Sequence, residues 1–447
     1  MTLVLVPQMS KLRGRIRGVG LFARGIIVAQ FVTLFYFVQI KGREANILSL
    51  KDTISQDSRA HCVGDLTTPE NDRWRGRSCL YSNICYRPDI GFIFKPSDND
   101  DLNAYSVSLS PRSKLWDDSS VTKLTFVSSK LVGGDLSHSK VLYFPGSIYL
   151  YESYNAQNFG HFLGDEVLPA YHLLTSFGLL NEKVQPYRIE TGDQILHSCD
   201  LLRTTSNPLY KDCTNNYNRM GHLITGETLR IFNDTFTDRN TTYCFENVVA
   251  GIGYLADHCD DPTIHGRNLQ PRDSHICNLG LQSMFYEFRK YLMQNIDSSI
   301  PEIKKQRKGA RLKVVVQVDL SKTRTYPICP EKAMGLKNIA RLQEKYGSID
   351  LKYLHVSGMT LKDQARELAN TAVFITGGGG GAFSLLFQPR FSTAIVYVGD
   401  DNVAYDSHFF PHLGYVNVHY IDSNRCSDGA LELLVENGIR TFLQHYL

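Results

Sequence analysis

From Leu312 to the C-terminus, short apolar runs alternate with helical segments, and that alternation admits very few folds. Leu312–Val318, Leu351–Val356, Val373–Thr376, Thr393–Val398 and Val416–Tyr420 have the length and β-branched content of buried strands. Glu331–Tyr346 reads as a helix. Thr360 and Asp363 form a capping box for a second helix reaching Asn370, and a last one is expected from Ser427 to Leu447. Strands separated by helices cannot pair as hairpins. The pattern therefore predicts an α/β fold, with a Rossmann-like domain over residues 310–447 built on a parallel sheet covered on both faces.

A second constraint lies inside that domain. The apolar run Ala372–Ile375 leads into five glycines (Gly377, Gly378, Gly379, Gly380 and Gly381), and Ala382 opens a short helix. Glycines let backbone N–H groups approach a ligand, and a helix N-terminus adds partial positive charge, so the turn suits a phosphate or pyrophosphate. A flexible surface turn has the same composition. Its place at the carboxyl end of a strand favours the ligand, because open sheets bind there. It is not a Walker A loop, since Phe383 stands where a lysine is needed, and it follows the third strand of its domain rather than the first. That position counts against a dinucleotide oxidoreductase, which stays a distant alternative.

Two further clusters bear chemistry. Asp319–Tyr326 follows the first strand of the same domain and carries Lys322 and Arg324, a point charge and a bidentate fork for phosphate oxygens. An ordinary solvated loop would look alike. Farther upstream, Asn155–Pro169 holds His161 and Asp165 four residues apart, on one face of a helix. A histidine beside a carboxylate can deprotonate a hydroxyl. The same pair can equally cap the helix or satisfy a buried amide. Asp257–Asp261 with His265 resembles a metal cluster only superficially, since consecutive residues rarely point at one ion.

The net charge of +3, with no basic stripe in the folded part, gives no reason to expect a nucleic-acid partner. Residues 1–24 form a basic tail, followed by the uncharged run 25–40, read as a transmembrane anchor with the tail in the cytosol. Residues 41–78 read as a stem, 79–300 as an acceptor-side domain, and 199–247 within it as an exposed, disulfide-tied insertion. All ten cysteines follow the anchor, as do the sequons at Asn233 and Asn240, which suits an oxidising secretory compartment and N-glycosylation. No Cys-x-x-Cys pair suggests structural zinc.

These clusters, in this order behind such an anchor, resemble glycosyltransferase family 61. His161 to Pro169 is similar to the family's first motif, and Lys322 to Arg324 with Glu331 to its cationic turn and following glutamate. Gly381-Ala382 with Leu386-Phe387-Gln388-Pro389 resembles its glycine motif. The resemblance implies a GT-B-like enzyme: two Rossmann-like domains facing a cleft, working with inversion and without a metal or other cofactor. It implies a nucleotide-sugar donor, a UDP-sugar by expectation, held by Lys322, Arg324, Glu331 and Gly377 to Ala382. The acceptor would be a glycan or glycoprotein hydroxyl with His161 or Asp165 as base, in the Golgi or endoplasmic reticulum with the catalytic part lumenal. Two departures stand out. Gly380 occupies the place of the family's histidine, and the residues after the turn are shortened to Phe383-Ser384. They leave open an inactive, glycan-binding or escort relative.

Overall fold

The computed structural model describes residues 57–64, 74, 76–96, 101–109, 122–136, 140–153, 159–189, 220–251, 253, 282–303, 311–318, 336–356, 359–398, 409–422 and 428–446. Gln56–Leu447 form one compact unit. The anchor segment 25–40, Lys322, Arg324 and Glu331 lie outside the described residues. Among the described residues no helix is long and apolar enough to cross a membrane.

The first half of the unit contains strands β1 (Arg59–Gly64), β2 (Arg77–Arg87), β3 (Gly91–Phe94), β4 (Val107–Ser108), β5 (Lys123–Leu124), β6 (Phe126–Ser128), β7 (Lys140–Glu152), β8 (Val184–Ile189), β9 (Arg230–Ile231) and β10 (Thr241–Gly251). Eight of them form one sheet in the order β6-β3-β2-β10-β7-β8-β9, with β1 also paired to β2. β10, β7, β8 and β9 run parallel, whereas β2 is antiparallel to β1, β3 and β10. The second Rossmann-like domain expected here is thus a mixed sheet, parallel over β10-β7-β8-β9 and at the β3–β6 edge pair but antiparallel around β2. Two disulfides staple the antiparallel half, joining directly opposed residues: Cys62–Cys79 across β1 and β2, and Cys85–Cys244 across β2 and β10. β1 falls in the segment read as stem and is an edge strand of the sheet.

The exposed insertion expected over 199–247 is overturned from residue 220 onward. β10 is a central strand, and Thr241 and Thr242 at its start are 1% and 2% exposed. The polar composition that suggested a loop belongs to the turn entering β10, where Asp238 accepts from the Asn240 amide at 3.0 Å and the Thr241 hydroxyl at 2.7 Å. Asn233 and Asn240 are both exposed.

Two helices lie between the sheets. The first, α1, starts at Phe159–His161, passes through a π turn at Phe162–Val167 and continues as Leu168–Ser176. Pro169 supplies no N–H, and its ring would meet the carbonyl four residues back; the wider turn accommodates both, with the Leu168 amide reaching Leu163 O. The second, α2 (Gln282–Asp297), buries Phe285, Phe288, Arg289, Leu292 and Met293.

The C-terminal sheet contains β11 (Leu312–Gln317), β12 (Ile349–Leu354), β13 (Thr371–Gly377), β14 (Ser392–Val398) and β15 (Val416–Asp422). It is parallel throughout, in the order β12-β11-β13-β14-β15. Helices α3 (Leu336–Tyr346) and α5 (Asp428–Tyr446) pack on one face through Leu342, Leu431, Val435 and Ile439. Helix α4 (Leu361–Leu368) packs on the other. Thr360 caps α4 as expected, its hydroxyl accepting from the Asp363 amide at 3.1 Å.

One apolar core runs from Tyr149 and Val249 of the first sheet, through Phe162, Leu168 and Phe288, to Val315 and Phe374 of the second. The boundary expected at 300–310 falls between α2 and β11, and the core continues across it. Polar contacts reinforce the joint. Asp297 at the end of α2 accepts from Ser299 Oγ at 2.7 Å and from Lys362 and Arg366 of α4, each at 2.9 Å. These donors hold its carboxyl well below the usual range, Ser299 first and Lys362 next. A carboxyl lowered in the folded state stabilises above its unfolded pKa of about 4, and that contribution fades as pH falls further. Asp297→Asn should therefore lower the melting temperature at pH 6, and the difference from wild type should shrink between pH 4 and 3. A difference constant across that range would contradict this role.

Candidate active site

The strand order places the site. In the C-terminal sheet the chain leaves β11 toward β12 and leaves β13 toward β14, so the crevice between β11 and β13 is a topological switch point. The five-glycine run begins at Gly377, the last residue of β13, and continues straight out of the strand. β11 ends at Gln317, beyond which the chain runs on to Lys322 and Arg324, outside the described residues. Across the crevice the Thr376 hydroxyl donates to Gln317 Oε1 at 2.6 Å. Sequence reasoning missed this pair. Its only signal is a polar residue closing each of two apolar strands.

The glycines divide by what each one does. Gly377 is buried in β13, and the Gly378 amide donates to Tyr397 O at 2.8 Å. Gly379 has φ +98°, open to glycine at little energy and strained for other residues. Gly380 begins a 3₁₀ helix, Gly380–Phe387, and the Ala382 amide donates back to Gly379 O at 2.9 Å. A Cβ on Gly381 would sit 2.7 Å from Gln317 Nε2. The amides of Gly378 and Ala382, both expected to hold a donor, are thus committed within the protein. Gly380 and Gly381 open the helix, where N–H groups have no acceptor within it. Gly378 to Gly381 are partly exposed, and everything from Ala382 to Pro389 is buried.

His161 and Asp165 are brought together as the spacing predicts. His161 Nδ1 lies 2.8 Å from Asp165 Oδ2, with the carboxylate 1% and the imidazole 17% exposed. A buried carboxylate on Nδ1 selects the tautomer and makes Nε2 the proton-exchanging atom. Asp165 sits in the π turn, with Glu166 beside it accepting from Ser153 Oγ at 2.7 Å. The dyad also occupies a switch point. The chain leaves β7 toward β8, while β10 lies parallel on the other side of β7, and six residues separate the end of β7 from the start of α1. Gly253, just past β10, lies against the Pro169 carbonyl too closely for any Cβ.

The two clusters touch. A Cβ on Gly160 would meet Gly380 Cα at 3.1 Å and the Phe383 ring at 2.8 and 2.9 Å. The residue before His161 therefore rests on the glycine turn. Among the described residues no group of three His, Cys, Asp or Glu side chains is placed to hold a metal ion.

No family model and no curated protein matches this chain. Among solved structures it is similar to E. coli heptosyltransferase WaaC with ADP, at 12% identity and TM-score 0.29, covering 66% of this chain and 100% of that one. It is likewise similar to that enzyme with ADP-2-deoxy-2-fluoro heptose, at 12% identity and TM-score 0.29, covering 68% and 100%. A likeness at this level leaves function to be argued from the chain's own geometry.

Proposed function

We propose that this protein is a glycosyltransferase, moving a sugar from a nucleotide-sugar, of the UDP class, to a hydroxyl of a protein or glycan. The reading is carried by one observation, the contact of the His161–Asp165 helix with the glycine turn at the switch point. His161 Nε2 takes the acceptor proton as the hydroxyl oxygen attacks the anomeric carbon from the face opposite the diphosphate. The bond from that carbon to the diphosphate oxygen breaks, and the configuration inverts. The departing charge is held without a metal by the amides of Gly380 and Gly381 and by Lys322 and Arg324. Glu331 belongs to this donor side by resemblance. The setting is the secretory pathway, with an anchor over 25–40, the catalytic part lumenal, and glycans on Asn233 and Asn240.

Thermal-shift titration with UDP and a panel of UDP-sugars tests the reading. The protein is expected to be stabilised by UDP, to turn over at least one UDP-sugar, and to lose both properties in Arg324→Ala. Absence of stabilisation by any nucleotide or nucleotide sugar would remove the transferase reading. A second reading, an inactive relative that binds glycans, is favoured by Gly380 standing where the resemblance expects histidine and by the two committed amides. Glycan binding without UDP binding would select it. Stabilisation by NADH but not by UDP would point to an oxidoreductase.

A further inference from the structure

We propose that Gly160 is a positioning residue, locking the proton-transfer dyad at a set distance from the glycine turn through Phe383. This deepens the transferase reading and rests on it. Gly160 is buried and directly precedes His161, so the imidazole follows any shift of its backbone. Three atoms close the space where its Cβ would stand: Phe383 Cδ2 at 2.8 Å, Phe383 Cε2 at 2.9 Å and Gly380 Cα at 3.1 Å. Neither neighbour yields easily. Gly380 is backbone of the turn itself, and the turn is held behind by Gln317 against Gly381 and by the Gly378 amide on β14.

The Phe383 ring is 2% exposed, stacked on Phe409 at 5.8 Å and edge-on to Phe410 at 5.1 Å. Phe409 in turn meets Phe285 of α2 edge-on at 5.5 Å. Phe383, at the place where a Walker A loop carries its lysine, is therefore the wedge between base and turn. A methyl at position 160 has to push the start of α1 away, carrying His161 with it. Misplacement of a reacting group by about 1 Å can cost on the order of 10²-fold in rate. The donor-binding side of the turn is left in place, so the effect falls on turnover rather than on nucleotide affinity.

The test uses the full chain with UDP and whichever UDP-sugar it turns over. Gly160→Ala is expected to lower kcat by about tenfold or more, with the UDP Kd within about twofold of wild type. Phe383→Leu alone, which removes ring volume from the lock, is expected to lower kcat severalfold at unchanged UDP affinity. The double variant, with the methyl given the vacated space, should recover most of the kcat lost in Gly160→Ala. Unchanged kcat in Gly160→Ala would overturn the proposal. So would parallel loss of UDP affinity and melting temperature without recovery in the double variant, the signature of packing alone. If Gly160→Ala does not fold, Phe383→Leu decides: unchanged kcat overturns the lock. Wild type that neither binds UDP nor turns over a UDP-sugar defeats the transferase reading itself, and this inference with it.

Discussion

Asp165→Asn is expected to reduce sugar transfer by about 10³- to 10⁴-fold while leaving the fold and UDP affinity near wild type. The carboxylate is buried and lies 2.8 Å from His161 Nδ1. As an acceptor it requires the hydrogen on Nδ1, which puts the lone pair on Nε2. An asparagine can turn its NH₂ toward Nδ1 and select the opposite tautomer, with Nε2 protonated and unable to take the acceptor's proton. His161→Ala should fall to the same level, and the double variant no lower, because the two residues act as one unit. Initial rates at saturating donor, with the UDP Kd measured alongside, decide this. Transfer within about threefold of wild type in Asp165→Asn would mean that the pair merely ties down the start of α1.

Removing the Cys85–Cys244 disulfide by paired serine substitutions should destabilise the protein by roughly 5 kcal/mol, on a chain-entropy estimate. The bond closes 159 residues of chain, whereas Cys62–Cys79 closes 17, for which the same estimate gives about 3 kcal/mol. The larger loss is comparable with the whole stability of many domains. Location adds to it. Cys244 stands in β10, central in the sheet between β2 and β7, while Cys62 stands on the edge strand β1. Urea unfolding of the two paired variants compares them directly. Equal losses would show that native packing, and not chain closure, sets the contribution.

The C-terminal sheet could be read from the chain because its central strands β11, β13 and β14 are largely buried on both faces and written as nearly unbroken apolar runs. β13 and β14 fall within two residues of their expected ends, and the helix after the glycines starts at Gly380, two residues early. The first sheet was largely illegible. Its antiparallel half depends on pairing β2 with β10, residues far apart in sequence, and no local pattern encodes that choice. The polar turn at Asp238–Thr241 hid a central strand for the same reason. Within the site, the His161–Asp165 pair was legible from helical spacing, yet the π turn that holds it was not. Nothing local to Phe383 signals its role; its contact with Gly160 joins residues more than two hundred apart.

The amino-acid order alone determined which C-terminal segments become parallel strands, where the glycine turn falls, and that a histidine and a carboxylate share a helix face. These follow from periodicity, propensity and backbone freedom, which act over a few residues. Only the tertiary structure decided that the two chemical clusters meet, which glycine amides are already committed, and that the first half is a mixed sheet sharing its core with the second. Those outcomes depend on which distant surfaces exclude water together, and burial is a property of the assembled chain rather than of any stretch of it.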